Sequence, residues 1–77
     1  MNDEKVMPES SNILSYAYSP KRSVLTVEFK DKSGALTATW EYAKVPPQIF
    51  AQAKQAPSVG KFIRDRVIGY YDGERVN

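Results

Sequence analysis

The sequence predicts an α+β fold, in which a three-stranded antiparallel β-meander packs against two short C-terminal helices. Two patterns carry that expectation. Three stretches between Asn12 and Tyr42 alternate apolar and polar residues with a period of two, and two stretches after Val45 space their apolar residues three and four apart. The length adds a third constraint, because 77 residues leave room for one hydrophobic core.

The elements follow in order. Residues 1–10 are polar, include Pro8 and show no apolar period, so they read as a flexible lead-in. From Asn12 to Tyr18, Leu14, Tyr16 and Tyr18 fall on one face of a strand and Ile13, Ser15 and Ala17 on the other. Ser19-Pro20-Lys21-Arg22 supplies a turn. Leu25, Val27 and Phe29 then alternate with Thr26, Glu28 and Lys30. Asp31-Lys32-Ser33-Gly34 closes a hairpin, with Gly34 free to take a positive φ. In the third strand Leu36, Ala38, Trp40 and Tyr42 share a face. Such a meander needs a cover for its apolar face, and the second half of the chain has to provide it.

Val45-Pro46-Pro47 ends the strands, and a proline in a first helical turn loses no hydrogen bond. Ile49, Phe50 and Ala53 give the helix that follows an apolar side until Ala56-Pro57 stops it. A second helix, over residues 57–67, turns Val59, Phe62, Ile63 and Val67 inward and Lys61 and Arg64 outward, ending near Gly69. Residues 72–77 form a polar tail in which Asp72-Gly73 suggests a turn. The domain thus runs over residues 11–71, and the expected core is Leu25, Val27, Phe29, Trp40, Phe50, Phe62 and Ile63.

Composition narrows the function. The chain has neither cysteine nor histidine, so thiolate chemistry, the imidazole base and the commonest nitrogen ligand for zinc are all missing. The acids Glu28, Glu41, Asp31 and Asp65 are scattered, without an evident catalytic partner. The reading is therefore a binding protein rather than an enzyme, with no metal and no cofactor. No apolar stretch is long enough to span a bilayer and no signal-like segment precedes the domain, which points to the cytoplasm. The net charge of +2 hides an asymmetry, because Asp3, Glu4 and Glu9 face only Lys5 in the first ten residues. Beyond them ten bases face six acids, a balance that favours an anionic partner.

Ser58-Val59-Gly60-Lys61 opens the second helix, where free N–H groups, the positive helix end, a hydroxyl and a lysine converge. A capping serine beside a permissive glycine gives the same pattern for structural reasons. The spacing is not that of a P-loop. Arg64 extends the positive surface, and Tyr42 and Tyr70 are candidates for stacking on a base. The expected ligand-binding set is Ser58, Gly60, Lys61, Arg64, Tyr42 and Tyr70.

Taken together, Ser11-Asn12-Ile13, Tyr16-Ala17-Tyr18-Ser19-Pro20, Trp40-Glu41-Tyr42, Val45-Pro46 and Ala56-Pro57-Ser58-Val59-Gly60-Lys61-Phe62 resemble the KTSC domain. That family is named for the C-terminus of some lysyl-tRNA synthetases, and its pattern has a Tyr-x-Tyr whose first tyrosine is Trp40 in this chain. The exchange keeps a large aromatic and loses a phenol hydroxyl. The resemblance covers about residues 10–71 and implies no catalytic activity. It implies an appendage or a free-standing bacterial or phage protein, hence the cytoplasm of a bacterium or of a phage-infected host, with RNA binding as the function suggested for the family. Two forms of a phosphate-binding module stay open: an RNA-binding domain, and a homo-oligomeric phage sponge that sequesters a small cyclic nucleotide signal. The modest charge leans toward the small nucleotide. The rival from another class is a protein-interaction module in which the aromatics form a docking surface.

Overall fold

The computed structural model describes residues 4–77. Seven elements follow one another: β1 (Glu4–Val6), β2 (Ile13–Ser19), β3 (Val24–Lys30), β4 (Leu36–Tyr42), α1 (Pro47–Gln55), α2 (Val59–Arg66) and β5 (Gly73–Arg75). The strands form one antiparallel sheet in the order β1-β2-β3-β4-β5. The sheet is therefore two strands wider than the three-stranded meander the sequence predicts. β1 lies in the stretch expected as a lead-in, whose first three residues fall outside the described ones, and β5 lies in the stretch expected as a tail. Both are three residues long, too short to display a period of two. Each is held by pairing with the backbone of β2 or β4, and backbone pairing leaves no side-chain signature.

The central hairpins match their turn chemistry. Gly34 takes φ +89°, while the Asp31 carboxylate accepts hydrogen bonds from the N–H groups of Ser33 and Ala35 and from the Ser33 hydroxyl. The β2–β3 turn places Ser23 at φ 55°. β2 departs from simple alternation. Ile13 pairs with Phe29 and Ser15 with Glu28, so one residue, Leu14, is left over in a bulge. That extra residue brings Ile13 onto the same face as Tyr16 and Tyr18, and all three are buried. Strict alternation over residues 12–18 assigns Ile13 to the opposite face, and the bulge is why that assignment fails.

The buried face carries Ile13, Tyr16, Tyr18, Leu25, Val27 and Tyr42, and the helices add Ile49, Phe50, Ala53, Val59 and Ile63. Phe50 is the central contact of α1, since its ring lies 5.7 Å from Tyr16 edge-on and 5.6 Å from Tyr18 face to face. Such pairs add about 0.5–1.5 kcal/mol to area burial. The Tyr18 hydroxyl is satisfied by donating to the Val45 carbonyl at 2.5 Å. Of the expected core, Leu25, Val27, Phe50 and Ile63 are buried, whereas Phe29, Trp40 and Phe62 are only partly so. The difference has a geometric cause. Two helices of nine and eight residues pack over the β2 side of a five-stranded sheet, and the apolar face of β4 lies beyond them.

The opposite face is polar, with Thr26 paired to Glu41 and Glu41 to Glu74. Ser15, 2% exposed, belongs to this side and donates to Glu28 at 2.5 Å. Lys5 on β1 lies 3.5 Å from the same carboxylate. No helix among the described residues is long and apolar enough to cross a membrane.

Candidate anion-binding site

α2 begins where the sequence places it. Pro57 prevents α1 from continuing into it, and Ser58, in extended conformation, accepts a hydrogen bond from the Lys61 N–H at 3.3 Å as the N-cap. Remaining first-turn N–H groups have no acceptor within a helix and point out of its end, where the helix dipole is positive. The Ser10-Ser11-Asn12 turn lies against this end. Ser10 organises it, accepting from the Ile13 N–H at 3.1 Å and donating to Asn12 Oδ1 at 3.1 Å.

Gly60 has a packing reason of its own. A Cβ at this position would lie 2.5 Å from Asn12 Oδ1 and 3.4 Å from Ser10 Oγ, so the bare glycine lets the turn approach the helix. Between them opens a polar recess of about 480 Å³, whose lining includes Ser10, Asn12, Ser58, Gly60, Lys61 and Arg64 and one carboxylate, Glu9. Four of the six expected ligand-binding residues therefore meet at one place. Arg64 contacts its neighbour Asp65 at 3.2 Å, but both side chains are exposed, and a pair of this kind is worth too little to hold Arg64 away from a competing anion.

Tyr42 and Tyr70 lie elsewhere. Tyr42, expected as an open surface for a base, is 4% exposed; its ring stacks at 6.3 Å on Trp40, and burial raises the pKa of its hydroxyl. The bare backbone of Gly73 lies against the same ring, where an added Cβ would come within 2.6 Å of Tyr42 Cε1. Tyr70 is 73% exposed on the loop after α2, and it lines neither the polar recess nor the apolar groove beside that loop.

Sequence reasoning missed that apolar groove. It lies over the part of β4 the helices leave uncovered, holds about 490 Å³, and is walled by Phe29, Trp40, Ile68 and Tyr71 with Tyr42 at its base. Periodicity had put Phe29 and Trp40 on the core face, which they do occupy. The signal that separates them from the core is helix length: the short α2 ends at Arg66, and Gly69 at φ +88° turns the chain back before a third turn can cover β4.

Three comparisons bear on this arrangement. Residues 9–71 match the model of the KTSC domain. A lysine–tRNA ligase of Nostoc punctiforme is 33% identical over 70 residues, which are 91% of this chain and 12% of the ligase, and a lysine–tRNA ligase of another Nostoc is 34% identical over the same length. The chain thus spans about an eighth of those relatives. An uncharacterised protein of Stutzerimonas stutzeri is 36% identical over 58 residues, 75% of each chain. The crystal structure of a KTSC domain protein from Yersinia pestis superposes with a TM-score of 0.86 at 24% identity, covering 99% of this chain and all of that one, a likeness of fold. Matched over most of its length by the family model and by these relatives, the chain belongs to the KTSC domain family.

Proposed function

We propose that this chain is a non-catalytic binding module that holds the phosphates of RNA in the recess at the start of α2. The observation that carries the reading is the meeting of Ser58, Gly60, Lys61 and Arg64 with the Ser10–Asn12 turn in one polar recess. Helix N–H groups and a capping hydroxyl contribute oriented dipoles, and Lys61 and Arg64 contribute charge. Glu9 in the lining opposes an anion, and the two cations Lys61 and Arg64 outweigh its single charge. The lack of histidine and cysteine supports a holding role over a reactive one. RNA is favoured over a small nucleotide because the recess opens on the surface of a single chain and because the matched segment forms part of ligases named for a tRNA substrate.

The test is fluorescence anisotropy of a labelled single-stranded RNA across a salt series, with native mass spectrometry of the free and bound protein. Each phosphate neutralised contributes about 0.7 to the slope of log affinity against log salt for a single strand. Replacing both Lys61 and Arg64 by alanine should therefore weaken binding and flatten the slope by about 1.4. RNA should be recovered intact after prolonged incubation. A discrete oligomer stabilised by one cyclic dinucleotide and indifferent to salt would replace RNA by the sponge reading. Unchanged affinity and slope in the double variant would remove the recess as the site.

A further inference from the structure

The groove over β4 is unconnected with the recess in the reading above, yet the chain runs directly from one to the other along α2. At eight residues α2 is about 12 Å long, with Ser58 at one end and Ile68 just past the other. Arg64 on α2 lines the recess, and Arg75 on β5 donates to the carbonyl of Thr37, a residue of the groove's lining, so a basic residue stands at each. The groove itself is aromatic. Phe29, Trp40 and Tyr71 remain partly exposed along it, Ile68 is 44% exposed at its mouth, and Thr37, Gly69 and Gly73 belong to its lining.

We infer that this groove receives an unpaired nucleobase of the same strand whose phosphate lies in the recess, an inference that rests on the phosphate reading above. Its contents fit a flat heteroaromatic ring. About 490 Å³ falls in the usual size range of small-ligand pockets, and aromatic walls with a few polar groups are the usual lining for such rings. Charge complementarity selects the bearer of the ring, because a base arrives with a phosphate on either side and the Arg75 guanidinium is bonded to the groove-lining Thr37.

A protein occupant fits less well. Strand addition beside the groove is blocked along Trp40–Tyr42, because β5 already pairs with that edge of β4. A stable protein interface needs roughly 800 Å² from each partner, about a sixth of the 5120 Å² that this chain exposes. Phe29, Trp40 and Tyr71 are already partly buried, so the groove falls short of that area while still accepting a plate-shaped group.

Trp40 is the sole tryptophan, so its emission reports on the groove directly. The full chain is titrated with a short oligoadenylate RNA, an abasic ribose-phosphate strand of equal length, free adenosine and a leucine-rich peptide. Oligoadenylate should quench Trp40 and bind about tenfold more tightly than the abasic strand, the range of one base stacked on an aromatic surface. Adenosine should quench Trp40 weakly without any phosphate. Ile68→Glu, an exposed substitution whose folding is checked by circular dichroism, should abolish quenching and base preference while the abasic strand still binds, weakened only by the added charge. Equal affinity for the two strands, or quenching that survives Ile68→Glu, would overturn the inference, and quenching by the peptide in preference to adenosine would assign the groove to a protein. Either no binding of the abasic strand to the parent chain, or abasic binding insensitive to Lys61→Ala and Arg64→Ala, would defeat the phosphate reading. Quenching by adenosine that is lost in Ile68→Glu would then leave the groove standing as a base site.

Discussion

Gly73→Ala should destabilise the protein by about 1 kcal/mol, whereas Gly60→Ala should leave it nearly unchanged, although the new methyl makes a close approach at both positions. At Gly73 an added Cβ meets Tyr42 Cε1 at 2.6 Å, Tyr42 Cδ1 at 2.9 Å and Trp40 Cε3 at 3.2 Å. Tyr42 is buried and stacked on Trp40, so its ring has nowhere to go without disturbing the β4–β5 pairing. Overpacking of this kind costs about 1–3 kcal/mol, against which replacing a strand glycine returns about 0.5–1 kcal/mol. At Gly60 the nearest atom is the terminal oxygen of the exposed Asn12 side chain, 2.5 Å away. Rotating that amide sacrifices its exposed hydrogen bond from Ser10, and a helical alanine in place of glycine offsets the loss by up to about 1 kcal/mol. For a chain of this size 1 kcal/mol moves Tm by about 4–8 °C. Urea denaturation followed by Trp40 emission, with calorimetry as a second probe, measures both variants. A Gly73→Ala protein as stable as the parent, or a Gly60→Ala protein less stable than Gly73→Ala, would refute the argument that ring rigidity decides the outcome.

Two further tests address the interior and the polar face. The Ser15 hydroxyl holds the Glu28 carboxyl below the usual glutamate range, burial opposes it, and the Lys5 ammonium adds a smaller lowering. A carboxyl depressed in the folded state adds stability that is present above its unfolded pKa and is lost as pH falls through its folded one. Tm should therefore fall below the usual glutamate range more steeply in the parent than in Glu28→Gln, and parallel acid profiles would show that Glu28 contributes nothing. Tyr18→Phe removes the donor to the buried Val45 carbonyl and should cost about 1–3 kcal/mol in urea denaturation. A loss below a few tenths would mean that the carbonyl finds another donor.

Much of the candidate site was legible because its parts are neighbours in sequence. Ser58, Gly60, Lys61 and Arg64 sit on one cap and one helix, where local geometry alone sets their relation. The Ser10–Asn12 turn that completes the recess comes from some fifty residues earlier, and nothing local announces it. Gly60 is the instructive case: the sequence offers helix-cap flexibility or access for a phosphate, and the structure adds a third reason, the approach of Asn12.

The sequence by itself determined the three long strands, both helices, the turns at Asp31–Gly34 and Pro57–Ser58, and the absence of imidazole and thiol chemistry. Each of these rests on side-chain periodicity, φ preference or composition, all of which are local. Only the tertiary structure decided that β1 and β5 widen the sheet, that a bulge at Leu14 turns Ile13 inward, that Tyr42 is buried, and that Trp40 borders an open groove. Backbone pairing at a sheet edge carries no residue code, and the area two short helices cover depends on where they land. Those outcomes belong to packing between distant segments, which periodicity does not encode.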